Sequence, residues 1–405
     1  MKNFGTLFGY ELKKIWKRPL LWAAVLAATA VSVFSVLPKD LWNGAESNYS
    51  VVYKSGHVVS GRVTQKEKLR IELEWAPKLN ERVMDGEFFH ELRSSLRELD
   101  LRKSGAALRS DLEAYFLLVD PTYYGYYRYA NLDGALESVT EQSYYDKART
   151  LRQLDLTTSW YGKLTQEEID HWTRLGDQVR IPYTFSYYAG WEQIDQALSR
   201  TVSWILPLLV GICLCGVFSE EHRDRTEPLI FSSRWGRFPV YLAKGLAGLA
   251  TAAMVVLAVC AAVAVTAMLV YGGGWFDAPI QLAINTCWPI TMGQGLLLKL
   301  GLFLAYTLLC AGVVMLVSLL SGSGVTGMAA SVFMMMLQMF LPRYLLEAPW
   351  ISGNILSPST FHRYQLVKLF GSWFNWVELD LVLYAAAGLI LLALCWLGWR
   401  RSAER

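Results

Sequence analysis

The sequence has few cysteines and histidines, and they are scattered along the chain. Its 405 residues include six Cys and five His, with neither a C-x-x-C pair nor a Cys/His group at metal-ligand spacing. Cys287 lies in a predicted external loop, whereas the other cysteines lie within apolar runs. This distribution argues against a disulfide framework and against a zinc site. We interpret the cysteines as small apolar side chains.

Sequence motifs for ATP binding and for hydrolytic chemistry are also absent. There is no G-x-x-x-x-G-K-[ST] phosphate-binding loop, and the apolar runs contain no H-E-x-x-H motif, paired aspartates or Ser/His set. The formal net charge is only +3, which gives no indication of nucleic-acid binding. We therefore expect neither an intramembrane enzyme nor a nucleic-acid partner, and no cofactor or metal ion bound by this chain itself.

Long apolar runs dominate the sequence. Hydrophobic residues make up 53% of the chain, and the 16 Trp and 21 Tyr are residue types that collect at membrane interfaces. A helix needs about 20 apolar residues to cross a bilayer core. We predict a mainly α-helical, polytopic membrane protein with six transmembrane helices. These spans are 19–37, 201–219, 246–271, 296–320, 325–343 and 380–399.

The distribution of Lys and Arg predicts the orientation of these spans. Basic residues cluster in 1–18, in 220–245 and in the tail 400–405, so the positive-inside rule places both termini in the cytoplasm. The loop 272–295 contains no Lys or Arg and is predicted to be external. The segment 344–379, also external, is too polar to cross the bilayer twice. We expect re-entrant or interfacial helices there.

This orientation makes residues 38–200 an extracytoplasmic domain between spans one and two, which we expect to be mostly helical. Thr165 precedes Glu168 by three residues, a capping-box pattern at the start of a helix. Ser55-Gly56 predicts the turn of a short β-hairpin. Helical patterns also occupy parts of 65–119. We interpret the aromatic run 121–129 as core packing; a surface for peptides, lipids or another subunit is the alternative.

The first 18 residues predict an amphipathic helix lying along the inner leaflet. One interpretation is a lipid anchor, and the other is one wall of a docking cleft shared with the cytoplasmic stretch 220–245. The predicted apolar stripe is Phe4, Leu7, Phe8, Leu12, Ile15 and Trp16, and the residues facing away from it are Lys13, Lys14 and Lys17.

The stretch 220–245 is charged at its start and amphipathic at its end. Six of its first eight residues are charged, and inserting each into lipid costs about 2.5–3.5 kcal/mol, so they lie in water or against protein. Trp235, Phe238 and Leu242 recur at helical spacing, which predicts a short interfacial helix that presents a rigid face to a cytoplasmic partner. The alternative is a solvated loop that only fixes the topology.

At this stretch the chain resembles the permease subunits of ABC-2 type transporters. Such permeases have a basic amphipathic N-terminal helix, a motif with Phe-x-x-Glu after span two, and a Lys that opens span three. The residues at matching positions are Phe218, Glu221, Thr226, Leu229, Ser232, Ser233, Arg237 and Lys244. Arg225 occupies a position where the family usually has Gly, which leaves the tight turn there without its usual residue.

The resemblance implies an exporter subunit in the cell membrane. Two permease copies, or two related permeases, would form the membrane core, and a separate cytoplasmic ABC ATPase would bind ATP and Mg. The stretch after span two would be the coupling helix, with Glu221 and Arg237 as the first candidates for contact with the ATPase. The full set of coupling candidates is Glu220, Glu221, Arg223, Arg225, Glu227, Arg234, Arg237 and Lys244. Peptide, lipid, drug, ion and polysaccharide substrates all remain open.

Two polar residues within the later spans are candidates for substrate or helix contact. We expect Lys299 to extend to the membrane interface rather than to contact substrate. Gln338 is an amide in an apolar helix and is expected to contact a partner helix. A membrane-tethered sensor that binds a ligand with its extracytoplasmic domain is the alternative to the permease.

Overall fold

A computed structural model describes most of the chain and divides it into two compact units. The described residues are 4–38, 46–64, 66–67, 70, 73–74, 76–96, 139–158, 163–232, 237–344, 358–369 and 371–404. The first unit comprises Met1–Val36, Ile194–Val265 and Leu297–Arg405, and the second comprises Leu37–Gln193 and Thr266–Leu296. The predicted aromatic run 121–129 and the residues Ser233, Arg234 and Trp235 lie outside the described residues.

Helices account for most of the described structure. They are, in chain order, α1 (Phe4–Trp16), α2 (Pro19–Val36), α3 (Gly86–Leu96), α4 (Glu141–Thr157), α5 (Gln166–Gly176), α6 (Ala189–Ala197), α7 (Ser203–Leu214), α8 (Ser219–Arg223), α9 (Glu227–Ser232), α10 (Phe238–Tyr271), α11 (Met292–Ser321), α12 (Gly324–Tyr344) and α13 (Trp376–Glu404). A π-helical segment, Leu198–Val202, joins α6 to α7, and short 3₁₀ helices occupy Ala76–Leu79, Ile280–Leu282 and Pro358–His362.

Five helical stretches among the described residues are long and apolar enough to cross a membrane. They are Pro19–Val36, Ala189–Leu214, Phe238–Tyr271, Met292–Ser321 and Trp376–Arg401. This makes the chain a mainly helical protein of the multi-pass membrane class. The predicted span 325–343 coincides with α12, whose apolar part Gly324–Gln338 is shorter than the other five. A sixth span and the orientation of all spans therefore stay predictions.

The second span begins earlier than its sequence suggests. We predicted 201–219, whereas the continuous stretch runs Ala189–Leu214 through the π-helical segment. Glu192, Asp195 and Arg200 lower the hydropathy of this part, so the apolar-run criterion assigned it to the extracytoplasmic domain. A helix can nevertheless include such charged residues, because neighbouring helices can bury a charge that is paired with an opposite charge.

Small residues allow close helix contacts in the first unit. A Cβ at Gly388 of α13 would lie 2.7 Å from Leu308 Cγ of α11, and a Cβ at Gly211 of α7 would lie 2.6 Å from Ser331 Cβ of α12. Any larger side chain at these positions would push the helices apart. Small residues at the interface are the usual means of close packing between membrane helices.

Two local features of the second unit were predicted from the sequence, a β-hairpin and a helix capping box. The hairpin pairs β1 (Glu46–Val52) with β2 (Val58–Thr64) in antiparallel register, and Gly56 at its turn has a φ of +86°. The predicted hairpin is therefore confirmed. The predicted capping box is confirmed as well, because Glu168 Oε2 accepts from the Thr165 amide at 2.7 Å and Thr165 Oγ1 caps the Glu168 amide.

The second unit also includes the segment that we interpreted as a simple external loop. The ring centroids of Trp172 and Trp288 lie 5.2 Å apart, and the Trp191 indole N–H donates a hydrogen bond to the Met292 carbonyl at 3.1 Å. The Asn285 amide donates to the Ala148 carbonyl at 2.9 Å. Residues 266–296 thus complete the core of this unit, and 38–200 alone lacks part of it.

A β-hairpin stands where we expected re-entrant or interfacial helices in 344–379. Its strands are β3 (Leu366–Leu369) and β4 (Ser372–Asn375), with Gly371 at φ +85° in the turn. A 3₁₀ helix, Pro358–His362, precedes them, and α13 follows at once. The prediction of helices is wrong for this part of the segment, while 345–357 lie outside the described residues.

Candidate functional site: a buried ion-pair network

Six charged side chains of the first unit meet where the N-terminal helix, the start of the charged stretch and the beginning of α10 come together. We call them the ion-pair network. Three are acidic and three are basic, so the formal charge of the network is balanced. Its members are Glu11, Lys14, Arg18, Glu220, Glu221 and Lys244.

Lys244 lies at the centre of the network. Its Nζ donates to Glu221 Oε1 at 2.6 Å and to Glu11 Oε2 at 3.0 Å. The Lys244 side chain is 1% exposed, and both carboxylates are buried as well. Lys244 therefore ties α10 to both α1 and α8 from inside the protein.

A second row of pairs extends the network toward the surface. Lys14 Nζ contacts Glu221 Oε1 at 2.8 Å and Glu220 Oε2 at 3.2 Å, and Arg18 Nη2 contacts Glu220 Oε1 at 2.6 Å. We predicted that Lys14 faces away from the apolar stripe of α1 and named no partner for it; its side chain is 34% exposed and pairs with α8. Lys13 and Lys17 are exposed, as expected.

The local sequence explains how these side chains come to share one place. Glu11, Lys14 and Arg18 follow each other at spacings of three and four, which puts them on one side of the N-terminal segment. Glu220 and Glu221 occupy the first turn of α8, where the helix dipole favours negative charge. Lys244 lies in the second turn of α10 and points inward.

The network alters the titration of the two groups that connect its inner and outer parts. Burial alone would lower the pKa of Lys14, but its hydrogen bond to Glu221 and the charges of Glu220 and Glu221 outweigh burial and raise it. Burial would raise the pKa of Glu221, yet the charges and hydrogen bonds of Lys244 and Lys14 hold it below its usual value. Both groups are therefore charged at neutral pH.

One atom of the network is left without a partner. Glu221 Oε2 is buried and accepts no hydrogen bond from any residue that the structure describes. A buried carboxylate oxygen without a partner raises the free energy of this arrangement. The network therefore connects the three segments although one of its carboxylate oxygens has no hydrogen bond among the described residues.

An aromatic cluster adjoins the network and packs the last helix against it. Phe218 stacks on Tyr241 with ring centroids 5.6 Å apart and contacts Trp399 at the same distance. Trp399 Nε1 also donates to the Arg237 carbonyl at 3.1 Å. The start of α10 is thereby fixed to the end of α13.

The turn after α8 contains a residue in the left-handed region, a conformation that glycine adopts most easily. Arg225 adopts a φ of +55°, in the left-handed region. Its amide donates to the His222 carbonyl at 3.2 Å, and the Thr226 amide donates to the Glu221 carbonyl at 3.0 Å, the hydrogen bonds of a Schellman motif. A tight turn is therefore present here with arginine, not glycine, at its left-handed position.

The predicted coupling residues fall into two groups. Glu221 and Lys244 are buried and Glu220 is partly buried within the ion-pair network, whereas Arg223, Arg225 and Arg237 are exposed. Glu227 begins α9, and Arg234 lies outside the described residues. Glu11, Lys14 and Arg18 were missed as site residues, although a single acid in a basic N-terminal segment was a signal for Glu11.

The first unit contains a second buried pair, between Lys299 and Asp195. Lys299 Nζ donates to Asp195 Oδ1 and, at 3.0 Å, to Ser199 Oγ, and it lies 5.4 Å from the centroid of the Phe361 ring. Lys299 is 1% exposed, so our expectation that it extends to the interface is wrong. Asp195 was missed because it lies in the charged start of the second span.

Two further polar contacts connect distant segments of the first unit. Arg363 Nη1 lies 3.7 Å from Asp380 Oδ2, and both side chains are buried. Tyr306 Oη of α11 lies 3.5 Å from Gln338 Oε1 of α12, so Gln338 contacts a neighbouring helix. In the described part of the chain, no group of three or more His, Cys, Asp or Glu could hold a metal ion.

No family model, no curated protein and no solved structure matches this chain. The resemblance to ABC-2 type permeases thus depends on the residues from Phe218 to Lys244 and on the order of the apolar helices.

Proposed function

We propose that the chain is the permease subunit of an ATP-driven ABC exporter in the cell membrane. The observation that supports this proposal is the ion-pair network, because its buried pairs join the charged stretch to a helix that is long and apolar enough to span a membrane. Lys244 belongs to the 34-residue helix Phe238–Tyr271 and pairs with α1 and α8 at once. A force applied to α8 would therefore be transmitted to the whole of α10.

The exposed residues around the network would form the docking face for the ATPase. Arg223, Arg225 and Arg237 are exposed and basic, and Leu229 is 73% exposed. A partner with acidic residues around an apolar groove would complement this face. Glu221, our first candidate for direct contact, is 5% exposed, so we assign it to transmission within the chain instead.

The partners supply what this chain does not carry in its sequence. The ATPase subunit would bind ATP and Mg²⁺ and hydrolyse the nucleotide, and a second copy of this chain or a related permease would complete the membrane core. Exposed apolar side chains on the long helices, including Leu26 (68%) and Ile390 (61%), suit contact with lipid or with such a second permease.

A membrane-tethered sensor is the second candidate. It is favoured by a cavity of about 810 Å³ in the second unit, a size typical of ligand-binding sites. A sensor needs no ATPase at the charged stretch, and this difference separates the two candidates experimentally.

Co-purification from native membranes tests the permease proposal. The tagged chain and its Arg223→Glu/Arg237→Glu variant would be extracted in mild detergent, and the co-eluting proteins identified by mass spectrometry. We expect an ABC ATPase with the wild-type chain and its loss from the variant. The control is Arg174→Glu, which reverses an exposed arginine of α5 and should retain the ATPase. Elution of the wild-type chain without any ATPase would favour the sensor.

A further inference from the structure

The second unit contains an open cavity that the proposed function does not use. Its volume is about 810 Å³, within the range of roughly 300–1,000 Å³ that is typical of ligand sites. Residues from 80–81, 178–186 and 274–294 line it, so both parts of the second unit contribute.

One wall of the cavity contains an isolated β-bridge, and the outer side of its backbone at Thr184 is open. Val83 and Thr184 form an antiparallel bridge in which the Met84 amide donates to the Tyr183 carbonyl and the Phe185 amide to the Arg82 carbonyl, each at 2.8 Å. In this type of pair the amide and carbonyl of Thr184 point away from Val83. Thr184 lines the cavity, and neither group bonds to another residue that the structure describes.

The neighbouring backbone is held in an uncommon conformation. Glu81 has a φ of +67°, and its amide donates to the Phe185 carbonyl at 3.0 Å. Asn80 Oδ1 accepts from the Tyr187 amide at 2.7 Å, so side-chain and backbone bonds together fix this turn beside the cavity. Ser186 is 7% exposed, lines the cavity and has a hydroxyl without a hydrogen-bond partner among the described residues.

The charges around the cavity favour a cationic ligand. Glu81 and Asp277 are exposed acids in its lining, whereas Arg180 is the basic residue there. Two carboxylates against one guanidinium leave a formal charge of −1. A ligand with one ammonium or guanidinium group and a hydrogen-bonding backbone would complement both this charge and the open backbone groups of Thr184.

We propose that this cavity binds an extended, cationic peptide segment that pairs with the backbone of Thr184. Addition of a peptide strand to an exposed edge is an established mode of recognition, in which main-chain hydrogen bonds supply affinity and side-chain pockets supply selectivity. A basic side chain or the free amino group of the peptide would face Glu81 or Asp277. This site is independent of the proposed function, since binding requires neither ATP nor an ATPase.

Peptide binding to the purified full chain in detergent tests the proposal. The probe is a pool of fluorescein-labelled pentapeptides with lysine first and any residue except proline at the other positions, followed by fluorescence anisotropy. A second pool carries N-methyl groups on alternate amides, which removes strand pairing without changing the side chains. We expect the first pool to bind at micromolar to sub-millimolar concentration, and the methylated pool to bind at least tenfold more weakly.

Two protein variants test the charge contribution. Glu81→Gln/Asp277→Asn should weaken binding about five- to tenfold at low salt, because each exposed ion pair contributes modestly. Glu87→Gln removes an exposed acid of α3 outside the cavity lining and should bind like the wild type. Thermal melting would verify that the variants are folded. The proposal would be overturned by any one of three results. These are equal affinity of the two peptide pools, equal affinity of the double variant and the wild type, and no binding at millimolar peptide.

Discussion

Removal of the Lys244 ammonium should destabilise the chain far more than removal of an exposed lysine. Lys244→Met leaves Glu11 and Glu221 buried, with only Lys14 close to the latter. Breaking a buried pair by removing one partner costs about 3–5 kcal/mol. The matched control is Lys78→Met, which loses an exposed pair with Glu74 and should cost less than about 1 kcal/mol.

The double variant Glu11→Gln/Lys244→Met removes one acid and one base together. The remaining buried carboxylate, Glu221, keeps Lys14 at 2.8 Å, so the network stays balanced. We expect the double variant to be less destabilised than the sum of its single variants by at least about 1 kcal/mol. Reversible unfolding in mixed detergent micelles measures each free energy. A loss in Lys244→Met no larger than in Lys78→Met, or strict additivity in the cycle, would refute the network.

Three further perturbations test other parts of the structure. The pKa of Glu221 is lower in the folded chain than its ordinary value of 4.5, so ionised Glu221 stabilises the fold above pH 4.5. This stabilisation is lost as the pH falls through the folded-state pKa. Glu221→Gln should therefore reduce the loss of stability at acid pH in a profile of unfolding free energy against pH. Arg225→Gly should raise the free energy of unfolding by about 0.5–1 kcal/mol, because glycine adopts φ +55° without strain; chemical unfolding would show a loss if this turn were not left-handed. Lys299→Met should cost about 3–5 kcal/mol and be partly rescued by Asp195→Asn, whereas a lysine that reached the interface would show neither effect in melting assays.

The sequence was sufficient for features that depend on local patterns. Apolar runs located the long helices, and the spacing of Thr165 and Glu168 predicted a capping box that the structure contains. The hairpin around Gly56 followed from turn chemistry. A similar signal was overlooked at Gly371, where short segments rich in β-branched and aromatic residues lie on both sides of a glycine and form β3 and β4.

The parts that failed depend on contacts between distant residues. Lys14 and Glu221 are 207 positions apart, and Lys299 and Asp195 are 104 apart, so no local pattern reveals that each charge has a partner. Hydropathy treats a charged residue as a cost wherever it lies, which moved the start of the second span from Ala189 to 201. The segment 272–295 was predicted only as an external loop, because its contacts with the rest of the second unit join residues more than 100 positions apart.

The burial of Glu221 changes how the charged stretch would work in an exporter. A residue in direct contact with an ATPase must be accessible, and among the coupling candidates whose exposure the structure describes, Arg223, Arg225 and Arg237 are exposed. The buried residues would instead keep α8 fixed to α10 while the ATPase moves. Substitutions in the two groups should therefore have different effects. Substitution of the exposed arginines should release the ATPase. Substitution of the buried residues should leave the ATPase bound and lower the free energy of unfolding of the chain.

The most direct test of the proposed function is ATP hydrolysis in the material that co-purifies with the tagged chain. Mg²⁺-dependent hydrolysis would be measured in mild-detergent eluates of the wild type, of Arg223→Glu/Arg237→Glu and of Arg174→Glu. We predict hydrolysis with the wild type and with Arg174→Glu, and its loss with the double variant. Wild-type chain that elutes from native membranes with no associated ATP hydrolysis, or equal hydrolysis from all three eluates, would contradict the proposal.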